Sequence, residues 1–157
     1  TGDRVKEALF SIIQFDIPNA KVLDLFGGTG QLGIEALSRG AKSATFVDAS
    51  NTACNLIREN LKRTKLENQA KVVRADYLDY LNRCRESYNI IILDPPYAEV
   101  YLENALKRIT EIDILQSDGI IVAERPLGKE ILWDFPGFSR SKDYKYGNCL
   151  LTLFKKD

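Results

Sequence analysis

Val22-Leu23-Asp24-Leu25-Phe26-Gly27-Gly28-Thr29-Gly30-Gln31-Leu32-Gly33 decides the fold. A short apolar run closes on glycines, which predicts a buried strand ending in a tight turn. Gly30 to Ser38 follows as a helix, with Leu32, Ile34, Ala36 and Leu37 apolar and Gly40 as its stop. The chain on either side continues this alternation.

Upstream, Val5, Ala8, Leu9, Ile12 and Ile13 fall at helical spacing. Residues 3–14 therefore read as an amphipathic helix with Asp3 as its cap, broken by Ile17-Pro18-Asn19. Downstream, strands are expected at 44–48, 70–75, 88–93 and 119–123. Helices are expected at 52–64, around Leu78 and Leu81, and at 100–109. Residues 138–146 and 149–154 read as two strands joined by Gly147-Asn148. The predicted architecture is α/β and Rossmann-like. It is a mostly parallel seven-stranded sheet with helices on both faces and a C-terminal antiparallel hairpin. No repeat or shift in composition marks a second domain, so 1–157 reads as one.

A chain of 157 residues can bury one sizeable core. Lys+Arg and Asp+Glu both number 22, so net charge points to no polyanion partner. A nucleic-acid enzyme would need a local basic patch instead. Three widely spaced cysteines and no histidine argue against a metal site or a disulfide framework. Reduced thiols in the cytoplasm are the simpler expectation. No apolar run approaches the roughly 20 residues a membrane helix needs. The chain lacks methionine and starts at Thr1, so a native N-terminal segment is expected to be missing.

Asp24, Asp48, Asp76 and Asp94 stand at or near the carboxyl ends of predicted strands, where open sheets collect ligands. Each could instead only cap the helix that follows. Four in succession favour a ligand.

Gly28 to Gly33 satisfies G-x-G-x-x-G, and Asp48 lies where a ribose-binding acid belongs. A nicotinamide dinucleotide fits that pattern. Asp24 weighs against it, because a pyrophosphate at the turn would face an anionic side chain. S-Adenosylmethionine has no phosphate and carries an ammonium and a sulfonium. Asp48 would then accept from the ribose hydroxyls and Asp76 from the adenine amino group, while the glycines let the backbone approach closely.

Asp94-Pro95-Pro96-Tyr97 ends the apolar run Ile90-Ile91-Ile92-Leu93. A dehydrogenase has no evident use for it, whereas methyl transfer to an exocyclic amine does. Such a nitrogen is a poor nucleophile, because its lone pair is delocalised into the ring. Two acceptors aimed at its N–H groups localise that pair. Asp94 offers one through its side chain and Pro95 another through its carbonyl, with the prolines stiffening the loop. Tyr97 offers a ring for the base to stack on. The plain alternative for Pro95-Pro96 is a strand-ending turn.

These residues resemble the class I S-adenosylmethionine-dependent methyltransferases. More closely they resemble the RsmD family, which methylates N2 of a guanine in bacterial 16S ribosomal RNA. Asp3 to Phe10, Val22 to Ala41 and Tyr146-Gly147 carry the likeness beyond the tetrapeptide, over nearly the whole chain. The resemblance implies a class I methyltransferase fold. It implies that Asp24, Gly28 and Gly30 hold the methionine part, Asp48 the ribose and Asp76 the adenine. Phe26, Ala49, Tyr77 and Asp94 complete the cofactor set, and Asp94, Pro95, Pro96 and Tyr97 hold the target base. Gly27 stands where that family usually carries alanine.

The partner implied is 16S rRNA or the assembling small ribosomal subunit, with no membrane and no metal, and with the enzyme a cytoplasmic monomer. That family begins with a basic segment, here absent, so weak RNA methylation by this chain alone is expected. RNA contact then falls to Arg4, Lys6, Arg58, Lys62, Arg63, Arg125, Lys142 and Lys145. Arg4 and Arg125 are best placed, with Lys6 beside Arg4. The rivals are an adenine-N6 DNA methyltransferase, an NAD-dependent oxidoreductase and a non-catalytic RNA-binding protein of the same fold.

Overall fold

The computed structural model describes residues 2–96, 99–128 and 134–157. The chain runs α1 (Asp3–Ile12), β1 (Lys21–Asp24), α2 (Gln31–Ser38), β2 (Ser43–Asp48), α3 (Asn51–Arg63), β3 (Ala70–Arg74), α4 (Tyr77–Arg83), β4 (Tyr88–Leu93) and α5 (Glu99–Glu111). It ends in β5 (Leu115–Pro126), β6 (Phe138–Arg140), β7 (Tyr144–Tyr146) and β8 (Cys149–Lys156). The strands form one sheet in the order β3-β2-β1-β4-β5-β8-β6, with β7 also paired to β8. Strands β1 to β5 are parallel, and β8 runs antiparallel to its neighbours. Strand order reverses between β1 and β4, so their carboxyl ends flank the crevice where such sheets bind ligands.

The mostly parallel sheet with an antiparallel end agrees with the sequence reading. The strand count does not: among the described residues there are eight strands, because the expected strand at 138–146 is two. Side chains break the ladder between them. Ser141 donates its N–H to the Leu153 carbonyl (2.8 Å), while its own Oγ accepts the Leu153 N–H (3.0 Å). Asp143 accepts from the Thr152 hydroxyl (2.6 Å) and from Arg125 (2.8 Å). A period-two reading does not see such side-chain capture of the backbone. The Gly147-Asn148 turn is as expected, with Gly147 at φ +58, as the first position of a type II′ turn requires.

Asp3 does not cap α1. Gly2 occupies the N-cap position without a side-chain bond, and Asp3 is the first helical residue. Gly40 does end α2. It takes φ +105, and the Gly40 and Ala41 N–H groups donate to Leu37 and Ala36 carbonyls.

Alternation along the strands divides the core in two. Ile90 and Ile92 face one side with Val22, Phe46 and Val122, packed against α1, α2 and α3. Ile91 and Leu93 face the other with Leu23, Val47 and Ile121, packed against α4 and α5. Residues buried on both faces explain why these strands read as continuous apolar runs. Gly33 lets α2 lie close on the sheet: a Cβ there would run into the edge of the Phe46 ring. Gly33→Ala is therefore expected to cost about 1–3 kcal/mol of stability, as overpacking does. Urea denaturation checks this, and an unchanged midpoint would show that Phe46 moves aside freely.

Candidate active site

A cavity of about 800 Å³ opens over the carboxyl ends of β1, β2, β4 and β5. Phe26, Gly28, Asp48, Ala49, Asp76 and Tyr77 line one part of it. Asp94, Pro95 and Pro96 line another, and Arg4 and Arg125 also reach its wall. The glycine turn and the acidic proline loop, nearly 70 residues apart in sequence, thus share one space. Tyr97 lies outside the described residues.

The glycine turn is tied from within. Gly28 (φ +59) and Gly30 (φ +83) take left-handed conformations that other residues rarely adopt. Asp48 accepts the Gly28 N–H through Oδ2 (3.0 Å) and the Ser50 N–H through Oδ1 (2.9 Å). Gly30 donates to the Gly27 carbonyl (2.7 Å), and Gly33 donates to Asp24 Oδ2 (3.2 Å). These three glycine donors are occupied, so the turn does not present them to a pyrophosphate as a dinucleotide cradle must. This weighs against NAD more strongly than charge repulsion from Asp24.

Asp24 is buried beneath the turn, and neither it nor Gly30 is among the residues lining the cavity. Its carboxyl is pushed up to about 8, first by burial and then by the nearby Asp94 and Asp48, against the Gly33 N–H. A group expected as an anion is therefore largely protonated at neutral pH. Asp76 accepts the Leu78 and Asp79 N–H groups through Oδ2 (3.0 and 3.3 Å) and so caps α4. Helix capping, the alternative weighed from sequence, thus applies at Asp24 and Asp76. It does not exhaust Asp76, since a carboxylate offers about four acceptor sites.

Sequence reasoning missed Tyr101. Its ring, on the first turn of α5, meets Tyr77 at 5.5 Å and Phe26 at 6.4 Å, and Phe26 meets Tyr77 at 5.1 Å. All three line the cavity and give it an apolar, planar wall. The only hint in sequence was a tyrosine one helical turn beyond the acidic loop. Glu124 and Cys149 were also missed. Glu124 repeats the strand-end carboxylate pattern at β5 and could have been found by it.

The basic residues divide. Arg4 is exposed at the cavity wall. Lys6 instead pairs with Glu35 (3.4 Å) and does not line the cavity. Arg125 is buried, with its guanidinium on Asp143 (2.8 Å), so it supports the wall rather than projecting from it. Arg58, Lys62, Arg63, Lys142 and Lys145 lie elsewhere on the surface.

A family model described as "Conserved hypothetical protein 95" matches residues 1–155. The chain is 34% identical over 157 residues to "Ribosomal RNA small subunit methyltransferase D" of Escherichia coli, covering 100% of this chain and 79% of that one. The chain belongs to the RsmD family. The Haemophilus influenzae protein of the same name is 36% identical over 135 residues, 84% of this chain and 70% of that one. A solved structure named "Putative methyltransferase yhhF from Escherichia coli" superposes with TM-score 0.90 at 28% identity, covering 99% of this chain and 85% of that one. The sheet is therefore that of the class I methyltransferases. In this RsmD-family chain, a Cβ at Gly27 would meet Ile57 Cδ1 at 2.8 Å. That contact is with a side-chain tip, so alanine at this turn is a matter of how Ile57 packs.

Proposed function

We propose that this protein is an S-adenosylmethionine-dependent methyltransferase acting on the exocyclic N2 of a guanine in 16S rRNA. One observation carries the reading: a glycine turn with a ribose-type acid and an acidic proline loop open into the same cavity. Its volume suits a cofactor of this size together with a base. The turn's committed N–H groups suit a ligand without a pyrophosphate. The relatives' names supply rRNA as the acceptor, and the resemblance supplies guanine N2.

In this reading Asp48, Ala49, Asp76 and the aromatic wall of Phe26 and Tyr77 hold the cofactor, with Gly28 at its close approach. Asp24 and Gly30 act from beneath by fixing the turn. The bound cofactor supplies a methyl group made electrophilic by its sulfonium. Asp94 and the Pro95 carbonyl orient the amine for in-line attack, and the base is everted from RNA structure to reach them. Tyr97 is proposed as its stacking partner. Arg4 is proposed to meet phosphate at the rim. The protein would work as a cytoplasmic monomer on 16S rRNA or on the assembling small subunit.

Incubation of the full-length enzyme with labelled cofactor and 16S rRNA, followed by nucleoside analysis, tests this. N2-methylguanosine supports it. N6-methyladenosine or no product rejects it. Asp48→Ala is expected to weaken cofactor binding by about 1.5–3 kcal/mol, the scale of a charge-assisted hydrogen bond. Unchanged calorimetry would remove Asp48 from the cofactor site.

A further inference from the structure

Adenine N6, cytosine N4 and guanine N2 are all amines that an acidic proline loop can orient, so the loop alone does not choose among them. The ring nitrogen beside the amine does separate them. In guanine it carries a hydrogen, whereas in adenine and cytosine it carries a lone pair. A carboxylate placed beside the amine pocket accepts from the first and repels the other two.

Glu124 is such a carboxylate. The parallel register of β4 and β5 pairs Leu93 with Ala123, so Asp94, the residue just past the end of β4, and Glu124 on β5 each follow a paired residue. Both line the cavity beside Pro95. Cys149, on β8, donates its S–H to Glu124 Oε1 at 3.1 Å. Burial first, then Glu124 and Asp94, push that thiol up to about 12, so it stays a donor. A thiol is a weak donor, and it engages one oxygen of a group that offers several acceptor sites. Two acids and the Pro95 carbonyl make this corner rich in acceptors. Guanine's edge presents three contiguous N–H groups, one at N1 and two at N2, which is the complement.

We propose that Glu124 selects the base: its carboxylate accepts the guanine N1–H while Asp94 and Pro95 accept from the N2 amine. The proposal rests on the methyltransferase reading above and adds the residue that makes guanine its substrate.

The test uses the full chain, labelled S-adenosylmethionine and target RNA with guanine or 2,6-diaminopurine at the modified position. The analogue keeps the 2-amino group but has a lone pair at N1. Glu124→Gln retains an oxygen for Cys149 and offers an N–H to that lone pair. Wild type should favour guanine by about a hundredfold. Glu124→Gln should lose about ten- to a hundredfold in kcat/KM on guanine, gain on diaminopurine, and bind cofactor as before. Glu124→Asp, which keeps the charge, should keep the guanine preference. Equal losses on both RNAs, or none, overturn selection by Glu124. Wild type that methylates neither RNA and binds no S-adenosylmethionine by calorimetry overturns the methyltransferase reading itself, and does so without any variant.

Discussion

Asp94→Ala is expected to lower turnover about a thousandfold while cofactor affinity stays within about tenfold. The guanine amine gains a localised lone pair only as the transition state forms, and Asp94 is one of two acceptors that favour it. Removing an interaction made mainly in the transition state lowers kcat more than it raises KM. Asp94 is half-buried at the cavity wall, at the end of a strand whose preceding residues are fully buried. Its backbone therefore has little freedom to adapt when the side chain is cut. Single-turnover kinetics at saturating cofactor, with calorimetry of cofactor binding, separate the two effects. Near-normal turnover would remove Asp94 from the chemistry. An equal collapse of cofactor affinity would make it a cofactor ligand instead.

The sheet was legible because burial on both faces leaves strands such as Ile90 to Leu93 unbroken by polar residues. The glycine turn was legible because Gly28 and Gly30 need left-handed backbone and Gly33 needs to lack a Cβ. Boundaries were less so. The expected strand at 119–123 extends over Leu115–Pro126, because pairing to β8 continues to Cys149 through polar Glu124 and Arg125. Long-range side-chain pairing was not legible at all. Arg125 looked like a free cation after a strand, yet Asp143, 18 residues on, takes it into the wall. Lys6 looked like an RNA contact, yet Glu35 on α2 faces it. Residues that meet only through the fold leave no spacing to read. Tyr101 is the same case, since its partners Phe26 and Tyr77 come from two other segments.

Asp24 gives the second large expected effect, in stability. Its pKa rises from 3.8 to about 8 in the folded chain, mainly through burial. Below about pH 4 both folded and unfolded chains keep the proton. Between there and about pH 8 the unfolded chain has lost it and the folded chain has not. The stability linked to Asp24 is thus full at low pH and is lost as pH rises toward 8. Asp24→Asn removes the titration but keeps an oxygen for the Gly33 N–H. From pH 5 to pH 7.5 the variant should therefore gain on wild type by about 3 kcal/mol, near 1.4 kcal/mol per pH unit. The comparison between the two pH values cancels any fixed cost of the amide. Urea denaturation of both proteins across that range reads the difference. A gap that stays constant with pH would mean that Asp24 is ionised under the turn, and would restore it as a fixed negative charge beside the cofactor.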